Sequence, residues 1–190
     1  MHSTSKALDL VYIAVSAAII AVCSWISIPT VIPFTMQTFA VFFILSFFGG
    51  KRGTAAIVVY LILGTIGIPV FSNFTGGIGI LLGPTGGYIL GFVLIGLIYW
   101  LTTQFLGRKL WVELISLLVG IAVLYTFGTV WYIKVYASRT GSVGLFTALT
   151  LCVFPFILPD LLKLGLALLL ARRIAASQKK YKFGKERNKF

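Results

Sequence analysis

The chain has 190 residues, of which 59% are hydrophobic and 11% charged, and it carries a formal net charge of +12. That leaves too little polar surface to coat a water-soluble core, so the class is an integral membrane protein. Continuous apolar runs of about 18 residues or more read as transmembrane helices, whereas the alternating short segments of a transmembrane barrel are missing. The expected fold is therefore an all-α bundle.

Six helices are expected, over about 8–27, 34–49, 54–71, 86–106, 111–135 and 147–171. The first follows a basic start, as a signal peptide does. Its apolar run is too long for a signal core and lacks a small-x-small cleavage site, so it reads as a retained helix. Within it, "AVSAAIIA" (14–21) puts Ala14 and Ala18 on one face and Ala17 and Ala21 on another. Small-xxx-small faces let helices approach closely, inside the bundle or against another membrane subunit. Cys23, like Cys152 near the other end, falls inside a predicted span and reads as a packing residue.

The second helix opens in "PFTMQT" (33–38). There Gln37 either bonds within its own helix end or, with Thr35, faces the mouth of a cavity. Between the third and fourth helices lies "SNFTGGIGILLGPTGG" (72–87), with six glycines and with Phe74, Ile78, Ile80, Leu81 and Leu82. Irregular backbone at membrane depth persists only where it is buried or lines a cavity. So apolar a loop fits a lid or wall over a ligand better than a free outer loop, with Asn73, Thr85 and Tyr88 as its candidate polar contacts.

The last span holds the most expensive feature, "FILPDLLK" (156–163). A charge at the centre of a membrane helix costs about 2.5–3.5 kcal/mol on insertion scales. Asp160 and Lys163, three residues apart, share a helix face. They form a structural ion pair or mark a ligand site, and Pro155 and Pro159 favour an opened backbone beside them. A small, largely apolar ligand with a carboxylate and a hydrogen-donating group suits the pair. Whether Lys163 meets the ligand or only pairs with Asp160 is left open by spacing.

Basic residues orient the chain. An odd-even split of the loops puts 13 of the 16 Lys and Arg residues on one side, with Lys134 and Arg139 opposite and Lys163 inside a span. By the positive-inside rule both termini are cytoplasmic. A transmembrane domain over 1–172 then precedes a basic cytoplasmic tail, 173–190, that faces anionic lipid headgroups rather than nucleic acid. With no phosphate loop, and His2 as the single histidine, neither ATP hydrolysis by that motif nor histidine catalysis is expected.

"PFTMQT", "GIPVF" (67–71), "GPTGGYILGF" (83–92) and the aspartate three before a lysine in the last helix together resemble the BioY family, over about residues 12–172. These are the biotin-binding S components of energy-coupling-factor (ECF) vitamin transporters. One departure is Leu158-Pro159, where the family pattern has Pro-Gly before the aspartate. The resemblance implies six membrane helices in a bacterial-type cell membrane, biotin as transported ligand with no cofactor, and a site near the outer face. It also implies partners: a transmembrane T component and two ATPases. Asp160 and Lys163 match the acid and base at the biotin site, and Ala14 and Ala18 match the docking motif for the T component. The competing expectation is a stand-alone, proton-coupled secondary transporter of biotin or a similar small carboxylate, with Asp160 carrying the proton.

Overall fold

A computed structural model describes the backbone of residues 2–30, 32–140 and 144–187, and the side chains of 6–30, 32–136 and 144–178. The expected contacts of Arg139 and of the tail side chains from Lys179 onward lie outside the described residues. In chain order the elements are α1 (His2–Trp25), β1 (Ser27–Ile28), β2 (Phe34–Thr35), α2 (Gln37–Phe48), α3 (Gly50–Thr65), a single 3-10 turn (Ser72–Phe74), α4 (Ile78–Leu81), α5 (Gly86–Leu106), α6 (Leu110–Thr140), α7 (Leu145–Cys152) and α8 (Phe154–Arg187).

Among the described residues, four helical segments are long and apolar enough to cross a membrane: Lys6–Trp25, Gly86–Leu106, Leu110–Tyr136 and Leu145–Gln178. Their outward faces carry Leu10, Phe105 and Leu158, each more than two-thirds exposed, as a lipid-facing coat requires. The two other expected spans are shorter than read from the sequence. α2 has 12 residues and α3 has 16, so at 1.5 Å per residue they reach about 18 and 24 Å. Gly49, at φ 89°, makes the sharp turn between them. α2 is short because it is central rather than lipid-facing: Ala40, Val41, Phe42, Ile44 and Leu45 are wholly buried against α1, α3, α5 and α8.

The expected helix over 147–171 is two helices. The chain breaks at Val153 (φ −126°, ψ −60°) and restarts as α8 at Phe154. Pro155 then stands in the first turn, where a missing N–H breaks no helical bond, and Pro159 lies inside the helix. The prolines thus go with a break before Asp160 rather than at it. α8 continues through Arg187.

α5 and α6 form an antiparallel hairpin that turns at Gly107 (φ 78°). Thr102 bonds Ser116 at one end (2.5 Å) and Tyr88 bonds Thr129 at the other (3.0 Å). α2 and α8 lie side by side and run the same way: Thr38 meets Asp160, and Ser46 shares a cavity with Ala171 and Arg172. The two-stranded ribbon pairs Ser27 with Thr35 and Ile28 with Phe34, fixing the segment that leads into α2.

α3 seats directly on α5 at Gly50, where an added Cβ would lie 2.7 Å from the Trp100 Cβ and closer still to its Cα. Gly50→Val should therefore lower the thermal midpoint in detergent by an overpacking cost of about 1–3 kcal/mol. Gly79→Ala, with nothing within 4 Å of its added carbon, should change stability by no more than about 0.5 kcal/mol. Equal midpoints for the two variants would contradict this seat.

Candidate functional site

The break at Val153 places the first turns of α8 against the start of α2, and a cavity of about 600 Å³, its mouth included, lies there. Its apolar wall includes Ile32, Ile89, Phe92, Leu124 and Phe156. Its polar groups converge from four elements. Thr35 comes from β2, Gln37 and Thr38 from the start of α2, Tyr125 from α6, and Asp160 and Lys163 from α8. Ser72, Thr85 and Tyr88 also line it, from the glycine-rich segment and the start of α5.

Asp160 and Lys163 are 3% and 6% exposed, so both charges are removed from solvent. Their ion pair is 2.9 Å, from Nζ to Oδ1. A buried pair is tolerable only when the remaining donors and lone pairs are also satisfied, and here nearly all are. Thr38 Oγ1 donates to Asp160 Oδ1 (2.8 Å) and Tyr125 OH donates to Asp160 Oδ2 (2.8 Å). Lys163 Nζ donates to the Thr35 carbonyl (2.8 Å), to Thr38 Oγ1 (3.2 Å) and to Asp160 Oδ1 (2.9 Å). Nζ also lies 4.2 Å from the centroid of the Phe34 ring, within cation–π range.

Counting capacity decides what the pair offers a ligand. An ammonium has three N–H donors and no acceptor, and all three on Lys163 are spent on the protein. A carboxylate accepts about four hydrogen bonds, and three are made. Among the described residues one acceptor position remains, on Oδ2, in the cavity wall. The chemistry presented is thus a buried anion with one vacant lone pair, in a largely apolar chamber.

Gln37 Nε2 donates to Tyr60 OH (3.1 Å), and its Oε1 has no partner among the described residues. Thr35 Oγ1 accepts from the Gln37 backbone N–H (3.2 Å), so Thr35 turns its carbonyl, not its hydroxyl, to Lys163. Tyr88 is held against α6 by its bond to Thr129, and its ring lies over Gly128, where any Cβ would collide with it. Of the seven candidate ligand contacts named from the sequence (Thr35, Gln37, Asn73, Thr85, Tyr88, Asp160 and Lys163), Asn73 alone does not line the cavity. It takes a left-handed turn (φ 55°), and its Oδ1 accepts from Ser27 Oγ (3.0 Å). That contact, the Trp25–Phe74 ring stack and the Trp25 Nε1 bond to the Pro69 carbonyl (2.9 Å) fasten the segment to the end of α1. Trp131 Nε1 fastens its far end, at the Gly83 carbonyl (2.9 Å), to α6.

Thr38 and Tyr125 are central to the site and are absent from the sequence-based list. Thr38 closes the "PFTMQT" motif, one residue past Gln37. Tyr125 carries no local signal, being brought in by the α5–α6 hairpin. Cys152, read as packing, is 1% exposed yet forms part of the cavity wall. The two alanine faces of α1 separate cleanly: Ala17 and Ala21 are buried in the core, whereas Ala14 and Ala18 are exposed.

The model of the BioY family matches residues 1–180. A biotin transporter BioY of Thermotoga maritima is 37% identical over 167 residues, covering 87% of this chain and 95% of that protein. A probable biotin transporter BioY of Pyrococcus horikoshii is 37% identical over 170 residues, covering 89% and 97%. The crystal structure of the S-component for biotin from an ECF-type ABC transporter superposes with a TM-score of 0.81 at 25% identity, covering 93% of this chain and 95% of that one. With the match running through both the cavity-lining motifs and the paired charges of α8, the chain belongs to the BioY family.

Proposed function

We propose that this chain is the membrane-embedded, biotin-binding S component of an ECF-type importer. The observation that carries the reading is the vacant acceptor position on Asp160, within a buried ion pair and inside an apolar cavity. Biotin fits it chemically. Its fused rings supply apolar area for the walls formed by Phe92, Leu124 and Phe156, and its ureido group supplies N–H donors for Asp160 Oδ2. Lys163 holds Asp160 in place rather than meeting the ligand, since its three donors are already used. Gln37 and Thr85 have polar atoms left for the rest of the molecule, while Tyr88 and Thr35 act chiefly through the wall they form. Asn73 contributes by fixing the loop beside the mouth.

The topology follows the charge pattern: six membrane helices, counting the short α2 and α3, with both termini in the cytoplasm. The cavity then opens toward the outer leaflet, and the basic end of α8 meets anionic lipid. Energy comes from partners, a T component and two ATPases, because the chain has no nucleotide-binding motif of its own. The exposed Ala14–Ala18 face is the docking surface, being the one alanine face the bundle leaves uncovered. A proton carrier would need a carboxylate free to exchange; three protein donors engage this one.

Two measurements test this reading. Labelled biotin binding to the purified protein should fall by about 100-fold in Asp160→Asn, which keeps the shape and removes the buried anion. Lys163→Ala should lose both binding and thermal stability, by about 3–5 kcal/mol, because it strands a buried carboxylate. The double variant Asp160→Asn, Lys163→Met should recover stability without binding. Full biotin affinity in Asp160→Asn would sink the site assignment. Separately, Ala18→Leu should leave biotin binding by the isolated chain intact and reduce co-purification with the T component; undiminished co-purification would remove α1 from the docking surface.

A further inference from the structure

At the other end of α2 and α8 lies a second polar cavity, of about 520 Å³ with its mouth, lined by Ser46, Phe47, Arg108, Glu113, Ala171 and Arg172 among others. It belongs to neither the biotin site nor the alanine face. Arg172 follows Asp160 by 12 residues on α8, a distance of about 18 Å along the helix. It also ends the apolar run, at the level where hydrocarbon gives way to headgroups.

Glu113 is the buried centre of this cluster, at 3% exposure. Its Oε1 accepts from Tyr99 OH (3.0 Å) and Arg108 Nε (3.2 Å), and its Oε2 accepts from Arg172 Nη2 (3.0 Å). Arg108 Nη2 also donates to the Ser46 carbonyl. One carboxylate faces two guanidiniums, so the cluster carries an uncompensated positive charge. Each guanidinium has five N–H donors, and only three of the combined set are engaged by these bonds. The two arginine side chains are 46% and 43% exposed, so the unspent donors reach outward. A second observation is independent of the charges. The Ser46 hydroxyl, on a residue only 6% exposed that lines the same cavity, has no hydrogen-bond partner among the described residues. An unpartnered hydroxyl on a residue that shares one cavity with two partly engaged guanidiniums calls for an oxygen-rich anion. Phe47 and Ala171 supply an apolar flank for what the anion is attached to.

We propose that this cavity binds a phosphate group through Arg108, Arg172 and Ser46, as borne by the headgroup of an anionic glycerophospholipid. Arginine forks bind phosphate oxygens in pairs, and the tetrahedral group leaves a further oxygen for the serine. Seated there, the lipid neutralises the excess charge and ties α2, α6 and α8 together at the membrane interface. The assignment is independent of biotin and of which leaflet this end occupies.

The test uses the full-length protein, stripped of lipid in detergent, with biotin binding as the check that the fold is intact. Native mass spectrometry is run with added phosphatidylglycerol and with a diacylglycerol lacking phosphate, and inorganic phosphate is titrated separately by calorimetry. Phosphatidylglycerol should be retained in preference to diacylglycerol. The triple variant Arg108→Gln, Glu113→Gln, Arg172→Gln leaves no stranded charge. It should weaken that retention at least about tenfold, the loss expected from one charge-assisted hydrogen bond, with biotin affinity unchanged. Ser46→Ala keeps every ion pair and should weaken retention by a smaller factor, which preserves the test should the triple variant not fold. Inorganic phosphate binding that the triple variant abolishes also supports the site and makes a free ion one source of the group. Equal retention of diacylglycerol, or unchanged binding of lipid and phosphate in Ser46→Ala and the triple variant, overturns the proposal. So does a triple variant that keeps its lipid but loses co-purification with the T component, because the cluster is then a protein contact.

Discussion

The ion pair between Asp160 and Lys163 is the constraint around which the cavity end of this bundle is arranged. Stranding one charge of such a pair costs about 3–5 kcal/mol, so every neighbour must supply a donor or an acceptor. Thr38 does both, giving its proton to Asp160 and its lone pair to Lys163. Tyr125 reaches across from α6, and the carbonyl of Thr35 arrives by way of the ribbon that pairs Ser27 with Thr35. Four elements are thereby fixed relative to one another by two side chains of α8. The cavity is what these elements leave between them.

The same logic operates at the far end with the sign reversed. There a buried carboxylate, Glu113, draws in Tyr99 from α5, Arg172 from α8 and Arg108 from the α5–α6 turn. Between the two polar clusters the interior is apolar and closely filled, with Phe42, Ile44, Leu45, Ile57 and Ile95 wholly buried. α2 spans this interval with polar attachments at both ends: Thr38 at its start, and the Ser46 carbonyl near its finish. A twelve-residue helix is marginal alone. Here most of its apolar surface is covered, with the Phe39, Phe43 and Phe47 stripe partly exposed, and its ends are tied, so tertiary packing holds it.

Much of this was legible in the sequence, and the exceptions have physical causes. α5 runs over Gly86–Leu106, as expected, because Gly-Pro and Gly-Arg turns bound a continuous apolar run. The spacing of Asp160 and Lys163 correctly put them on one face, since a three-residue step is fixed by helical geometry alone. By sequence, Pro155 and Pro159 favour an opened backbone beside Asp160. The break falls at Val153 instead, because a proline is tolerated in a first turn and Pro155 takes that place. Hydropathy started α2 at 34, where Phe34 and Thr35 instead pair in the ribbon, and placed α3 over 54–71 rather than Gly50–Thr65, because an apolar run does not show where its backbone enters or leaves a helix. Tyr125 was invisible for a different reason: its bond to Asp160 joins residues 35 apart through tertiary packing that no local pattern records. The two alanine faces of α1 are indistinguishable by spacing, and packing alone separates Ala17 from Ala18.

If the cavity is the ligand site proposed above, the exhaustion of Lys163 bears on selectivity. A buried lysine with free N–H groups would draw in any small carboxylate, and a cavity built on one would discriminate poorly among acids. With its three donors taken and the Phe34 ring across it, Lys163 shows the ligand no hydrogen to accept. The anion beside it keeps one vacant lone pair, so the favourable entrant is a group that donates a hydrogen. Unpaired buried polar groups are costly, and a ligand unable to donate would leave that carboxylate position unfilled in a largely apolar chamber. The cation therefore works through the anion: it makes a buried carboxylate tolerable, and the carboxylate reads the donor.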